Sequence, residues 1–169
     1  MRQLILVILI LLCATQAFSS EIASYDLELS EDSRLLIKMK RFNRQEHKIE
    51  YYENGTSKYP MKIDGNTFYM NDFSMPYWEV VDLRIKFRDT EHTLDHSYMY
   101  DLWHPSNKIK EHLLLTCTGS NCTLEGLFGD GAGTFMASWR FGNGKSVRTE
   151  LGTDESKMLP LINRLNSLK

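Results

Sequence analysis

Cysteine, proline, glycine and net charge are all scarce in this chain, and each shortage closes off a class of protein. Of its three cysteines, Cys13 lies in the opening segment. That leaves Cys117 and Cys122, too few to build a thiolate zinc framework. Four prolines and ten glycines among 169 residues exclude a collagen-like or low-complexity chain. A formal charge of −2 supplies no global field that would draw nucleic acid or acidic lipid, and neither is expected as a partner. After the opening segment no apolar run approaches the roughly 20 residues of a membrane-crossing helix, so no membrane span is expected in the mature chain. There is no glycine-flanked serine elbow and no phosphate loop leading into a helix. No catalytic residue, metal ligand or cofactor is therefore assigned.

What is present begins with "MRQLILVILILLCATQAFSS". Arg2 gives a positive start, Leu4 to Cys13 an unbroken apolar run, and small residues follow. This is the pattern of a cleavable export signal over residues 1–19, cut near Ala17 or Ser19. Leu12 stands where a lipoprotein signal would place a small residue, so Cys13 is read as part of the discarded leader. Residues 20–169 then form one β-rich globular domain, secreted or periplasmic, with room for one core.

The stretch "CTGSNC" carries the two remaining cysteines, which lie in an oxidising space if the chain is exported. Leu113, Leu115 and Cys117 alternate before it, and Cys122 and Leu124 continue the alternation after it. A hairpin with Thr118 to Asn121 as its loop sets Cys117 opposite Cys122 and Leu115 opposite Leu124. Apolar pattern and cysteine spacing choose the same register, which predicts a Cys117–Cys122 disulfide.

The same period of two recurs along the chain and predicts antiparallel strands with one wet face. Tyr25, Leu27 and Leu29 share a side, as do Leu35, Ile37 and Met39, and Ile49 with Tyr51. In "WEVVDLRIKFRD" the apolar face is read as Val81, Leu83, Ile85 and Phe87. Asp64-Gly65 predicts a tight hairpin with Met61 opposite Phe68 and Tyr59 opposite Met70. Pro60, without an amide donor, argues for a strand edge or a free donor side there. Gly142-Asn143-Gly144 predicts a three-residue loop that sets Trp139 opposite Val147, Ala137 opposite Thr149 and Phe135 opposite Leu151. Residues 90–104 fit both a strand and a helix, with strand preferred. "TDESKMLPLINRLNSLK" is a helix whose Met158, Leu161, Ile162, Leu165 and Leu168 share one face. Pro160 belongs in a first turn, which places the start near Ser156 to Leu159. The fold class is mainly β: an antiparallel sandwich or up-and-down barrel-like meander of about ten short strands, with a C-terminal helix.

Candidate chemistry is thin. His92, His96 and His104 crowd one region, with Asp95 and Asp101 between them. On a helix His92 and His96 would sit one turn apart and could share a metal ion. On a strand they lie about 13 Å apart and cannot. Gly129, Gly131 and Gly133 precede a strand, which fits a bulged connection, with Asp130 a weak calcium candidate at most. The basic run from Lys38 to Lys48 is balanced if Asp26 lies opposite Lys40 and Glu28 opposite Lys38. Asn54-Gly55-Thr56 and Asn121-Cys122-Thr123 are glycosylation sequons in predicted turns. Trp78, Tyr98, Tyr100 and Trp103 could anchor an interface. The leading expectation is an exported, non-enzymatic binding domain, inhibitor-like or a surface-interaction module, that contacts another macromolecule such as a protein, with the partner's identity left open. The alternatives are a carrier of a small apolar ligand in a β-barrel cavity, and a metal-assisted hydrolase using His92 and His96.

Overall fold

The computed structural model describes residues 21–69, 74–102, 108–129 and 131–168. Expectations about the leader, Cys13, Met70, Trp103, His104 and Asp130 fall outside the described residues.

Among the described residues eleven strands form three antiparallel sheets, followed by one α-helix. The first sheet has the order β1 (Ile22–Ser30), β2 (Ser33–Arg41), β6 (Trp78–Phe87), β7 (Thr90–Thr93). The second runs β11 (Lys145–Gly152), β10 (Phe135–Gly142), β9 (Asn121–Phe128), β8 (Leu113–Thr118). These two sheets face each other as a sandwich, and their inward residues make one core. Leu35, Ile37, Met39, Leu83 and Ile85 come from the first sheet, and Leu124, Phe128, Phe135, Ala137, Trp139 and Phe141 from the second. Period-two alternation is what delivers one apolar row per strand to this layer. A small third sheet, β3 (Ile49–Asn54), β4 (Ser57–Ile63), β5 (Asn66–Thr67), has its own cluster of Ile63, Phe68 and Tyr100 with Phe42 and Ile49.

The helix α1 (Glu155–Asn166) covers the outer face of the second sheet, where Met158, Leu161 and Leu165 pack on Leu127 and Met136. Arg164 fixes its docking with a bidentate pair to Glu125 at 2.7 and 2.8 Å. The helix starts at Glu155, earlier than expected, because the Asp154 carboxylate caps it by accepting the Ser156 N–H at 3.0 Å. Pro160 therefore lies beyond the first turn. It sits on the exposed side, where water can serve the carbonyl its missing donor leaves free. Leu168 belongs to the expected stripe but remains 70% exposed.

Bulges account for most other departures. Between β2 and β6 the register shifts so that Lys38 opposes Asp82 while Met39 opposes Val80. Val81 is squeezed out, and Val80 rather than Val81 enters the core. Between β10 and β11 the turn has two residues, with Asn143 at φ 49° and Gly144 at φ 73°, the left-handed pair of a type I′ hairpin. A bulge at Thr149 then places Trp139 opposite Arg148 and Ala137 opposite Leu151. The expected three-residue loop and its pairings are thus displaced, and Val147 is exposed. Between β1 and β2 a tight turn at Glu31-Asp32 pairs Asp26 with Leu36 and Glu28 with Arg34. The lysines find their carboxylates on β6 instead, Lys38 with Asp82 at 3.6 Å and Lys40 with Glu79 at 3.3 Å.

The Asp64-Gly65 hairpin stands as expected, both residues at positive φ and the Phe68 N–H donating to Met61 O at 3.0 Å. Pro60 lies past the last described rung to β5, where no donor is required.

Candidate functional site

The two sides of the sandwich are finished differently. On the β7/β11 side, Ser146 Oγ donates to Thr93 O and the Arg148 guanidinium reaches Ser97 O at 2.6 Å and Asp95 at 3.2 Å. Trp139 Nε1 donates to Asp95 O at 2.7 Å. These contacts tie the two sheets together.

On the opposite side, β8 pairs with β9 alone among the described residues. A short 3-10 turn at Ile109–His112, anchored by buried Ile109, delivers the chain into it. The disulfide between Cys117 and Cys122 holds this strand to its one neighbour, with a Cα–Cα distance of 4.1 Å. So close an approach identifies a non-hydrogen-bonded pair, in which both residues turn their N–H and C=O away from the partner strand. Counting back by two, Leu115 and Leu113 share that orientation. The Leu113 N–H bends back to Lys110 O. The N–H groups of Leu115 and Cys117, and the carbonyls of Leu113, Leu115 and Cys117, have no backbone partner among the described residues.

This bare edge borders a groove of about 900 Å³. Leu29 and Phe87 form one wall, Leu165 and Leu168 the other, and Leu113, Leu114 and Leu115 lie along the bottom. The rim carries Glu31, Asp32, Arg88, Lys110 and Glu111. The groove is open to solvent, and six of its fourteen lining residues are leucines. This groove is not the enclosed β-barrel cavity expected of a carrier.

A second feature was not legible in the sequence. His47, whose side chain is only 9% exposed, has Nδ1 at 2.7 Å from Asp64 Oδ2 and Nε2 at 3.4 Å from Glu79 Oε2. Its ring stacks on Phe42 at 4.6 Å and meets Tyr100 edge-on. Nε2 is buried without a hydrogen bond among the described residues, and Glu79 Oε2 also faces Lys40 Nζ at 3.3 Å as an ion pair. Burial, then the Glu79 charge, pushes the Tyr100 phenol well above its usual range. Both imidazole nitrogens face carboxylates, so neither is turned toward a substrate. The arrangement works as a clamp between the third sheet and the first. Sequence reading absorbed His47 into the basic run "KMKRFNRQEHK" because Asp64 is 17 residues away and no local spacing links them.

His92 and His96 are not part of any metal-holding group among the described residues. His92 is buried on β7 with its ring 5.2 Å from Phe141, and His96 Nδ1 lies 3.2 Å from Leu94 O. Among the described residues no group of three or more His, Cys, Asp or Glu could hold a metal ion. Residues 90–93 are strand, as preferred, but 94–102 form an irregular plug with Leu94, Met99 and Leu102 in the core. Of the expected anchors, Tyr100 is core and Tyr98 is 41% exposed. Trp78 lies under the Arg41 guanidinium at 4.7 Å. Gly131–Gly133 makes a 3-10 turn between β9 and β10. Asn54 and Asn121 are exposed beside the tips of their hairpins. No described helix is long and apolar enough to cross a membrane. No family model matches the chain, and no curated protein or solved structure shows significant similarity to it.

Proposed function

We propose that this protein is an exported, non-catalytic binding domain that receives a segment of another protein in the groove along β8. The observation that carries the reading is the leucine-lined groove set against a strand edge with unused backbone groups. The contrast with the sealed β7/β11 side adds to it, since the same sandwich closes one side and leaves the other open. The disulfide supports both parts of the reading. It suits an oxidising compartment, and it braces an edge strand against its single neighbour among the described residues.

A second reading has a specific observation behind it. A leucine-lined groove of about 900 Å³ falls within the size range of small-molecule sites, so an apolar ligand could occupy the same place. Native mass spectrometry of the protein as isolated from its producing cells separates the two. A stoichiometric lipid adduct would favour the carrier; a bare mass would favour the protein partner.

The groove itself is tested with an anilinonaphthalene dye. The dye is expected to bind, and Leu168→Glu, which alters a wall residue 70% exposed to solvent, is expected to weaken that binding without lowering Tm. Absence of dye binding, or equal binding by the variant, would remove the groove as the site.

A further inference from the structure

We infer that the groove recognises its partner by strand addition: an extended, uncharged segment with alternating apolar side chains pairs with β8 as a fifth strand of the second sheet. This rests on the binding role proposed above for the same groove and names what enters it.

Exposed strand edges are ordinarily protected by charge, proline or a covering element. β1, the corresponding edge of the other sheet, obeys this with Asp26 and Glu28. β8 reads "LLLTCT" and carries neither charge nor proline across its length. Its outward N–H groups at Leu115 and Cys117 alternate with outward carbonyls in the spacing of an antiparallel or parallel ladder. The groove is lined by Leu113, Leu114 and Leu115 together, residues from both faces of the strand, so it runs along the edge itself. An added strand would place one row of side chains against Leu29 and Phe87 and the other against Leu165 and Leu168. Six residues of β8 extend roughly 20 Å, long enough for a five- to seven-residue segment.

Charge narrows the occupant further. The strand and walls are uncharged, so the middle of the segment must be uncharged as well. At the rim Arg88 faces Asp32 at 3.8 Å. Three rim residues are acidic and two basic, which favours a basic residue flanking the apolar core. A second copy of this chain would bring β9 and α1 along with its β8. The disulfide gives the edge its readiness, since a strand already held in register loses little freedom when another pairs with it.

The probe is the synthetic peptide Lys-Val-Thr-Val-Thr-Val-Lys, with amide hydrogen exchange followed by NMR on the intact oxidised protein. Saturating peptide is expected to slow exchange at Leu115 and Cys117 by about tenfold or more, while a version with proline as its central residue has no such effect. A glutamate-flanked version should bind more weakly than the lysine-flanked one. Leu115→Pro removes one outward donor that β9 does not use and should abolish protection at Cys117. If that variant does not fold, Leu168→Glu gives the same readout on a native structure. Unchanged exchange, or equal protection by the proline peptide, overturns strand addition. If the dye still binds the groove in that case, the binding role survives and only the mode of recognition falls. If dye and peptides both fail, the groove reading falls with it. Concentration-dependent dimerisation with Leu115 and Cys117 already protected would assign the edge to a second copy and overturn the inference.

Discussion

His47 Nδ1 stands 2.7 Å from Asp64 Oδ2 and so ties the turn after β4 to the chain entering β3. The other Asp64 oxygen accepts the Lys48 N–H at 2.8 Å, and the far side of the imidazole faces Glu79 on β6. One side chain thus links the β3/β4 ladder of the third sheet to β6 of the first, which no described ladder joins to it.

This arrangement makes stability depend on acid in a defined direction. The His47 hydrogen bond, followed by the Lys48 N–H, holds the Asp64 carboxyl below its ordinary range. Such a carboxylate contributes stability at any pH above its unfolded value of about 3.9. That contribution is lost as pH falls through the lower folded-state value. Asp64→Asn is expected to be less stable than wild type at neutral pH, with the gap closing in strong acid. Urea unfolding of both proteins from pH 7 down to pH 2 reads the gap. A difference that does not change with pH would rule out the proton linkage.

The Cys117–Cys122 loop is short, and the loop-entropy relation assigns it about 2 kcal/mol. Cys117→Ser with Cys122→Ser should lower the unfolding free energy by that order and leave the far-UV spectrum intact. The larger consequence is expected at β8, where opening of the edge strand becomes easier. Thiol counting on the oxidised protein should find neither of these cysteines free. Two reactive thiols would remove the staple from the account.

Gly126 and Gly144 are each required for a different physical reason. A Cβ on Gly126 would meet the Phe128 ring at 2.5 and 2.7 Å and Leu113 Cδ2 at 2.9 Å. Gly126→Ala is therefore an overpacking change that should cost about 1–3 kcal/mol. Gly144 has open space around it but sits at φ 73°, so Gly144→Val should cost about 1–2 kcal/mol through backbone strain. Asparagine, which tolerates the left-handed region, should restore most of the loss at Gly144. It should restore none at Gly126. Equal behaviour of the two sites in thermal melts would contradict this division.

Much of the architecture was legible because alternation is a local signal. Leu35, Ile37 and Met39 occupy one side of β2 whatever the rest of the chain does, since successive side chains in a strand must point oppositely. The Cys117–Cys122 register was legible too, because the cysteine pair and the Leu115/Leu124 pair lie within one hairpin and had to agree. Turn chemistry at Asp64-Gly65 acted over the same short range. What failed was longer in reach. The bulges at Val81 and Thr149 each insert one residue, and nothing in a strand's own pattern marks where a partner will be skipped. The clamp at His47 failed for a like reason, its carboxylates being supplied by separate hairpins.

The residues by themselves thus determined that this chain makes strands, which side of most of them is apolar, and where the sulfur bridge closes. Only the tertiary structure decided which strands became edges, which side of the sandwich was sealed, and that β8 was left with backbone groups facing an apolar groove. The division has a physical cause. Side-chain direction is fixed by the backbone one residue at a time, whereas neighbours in a sheet are chosen by the packing of segments far apart in the chain.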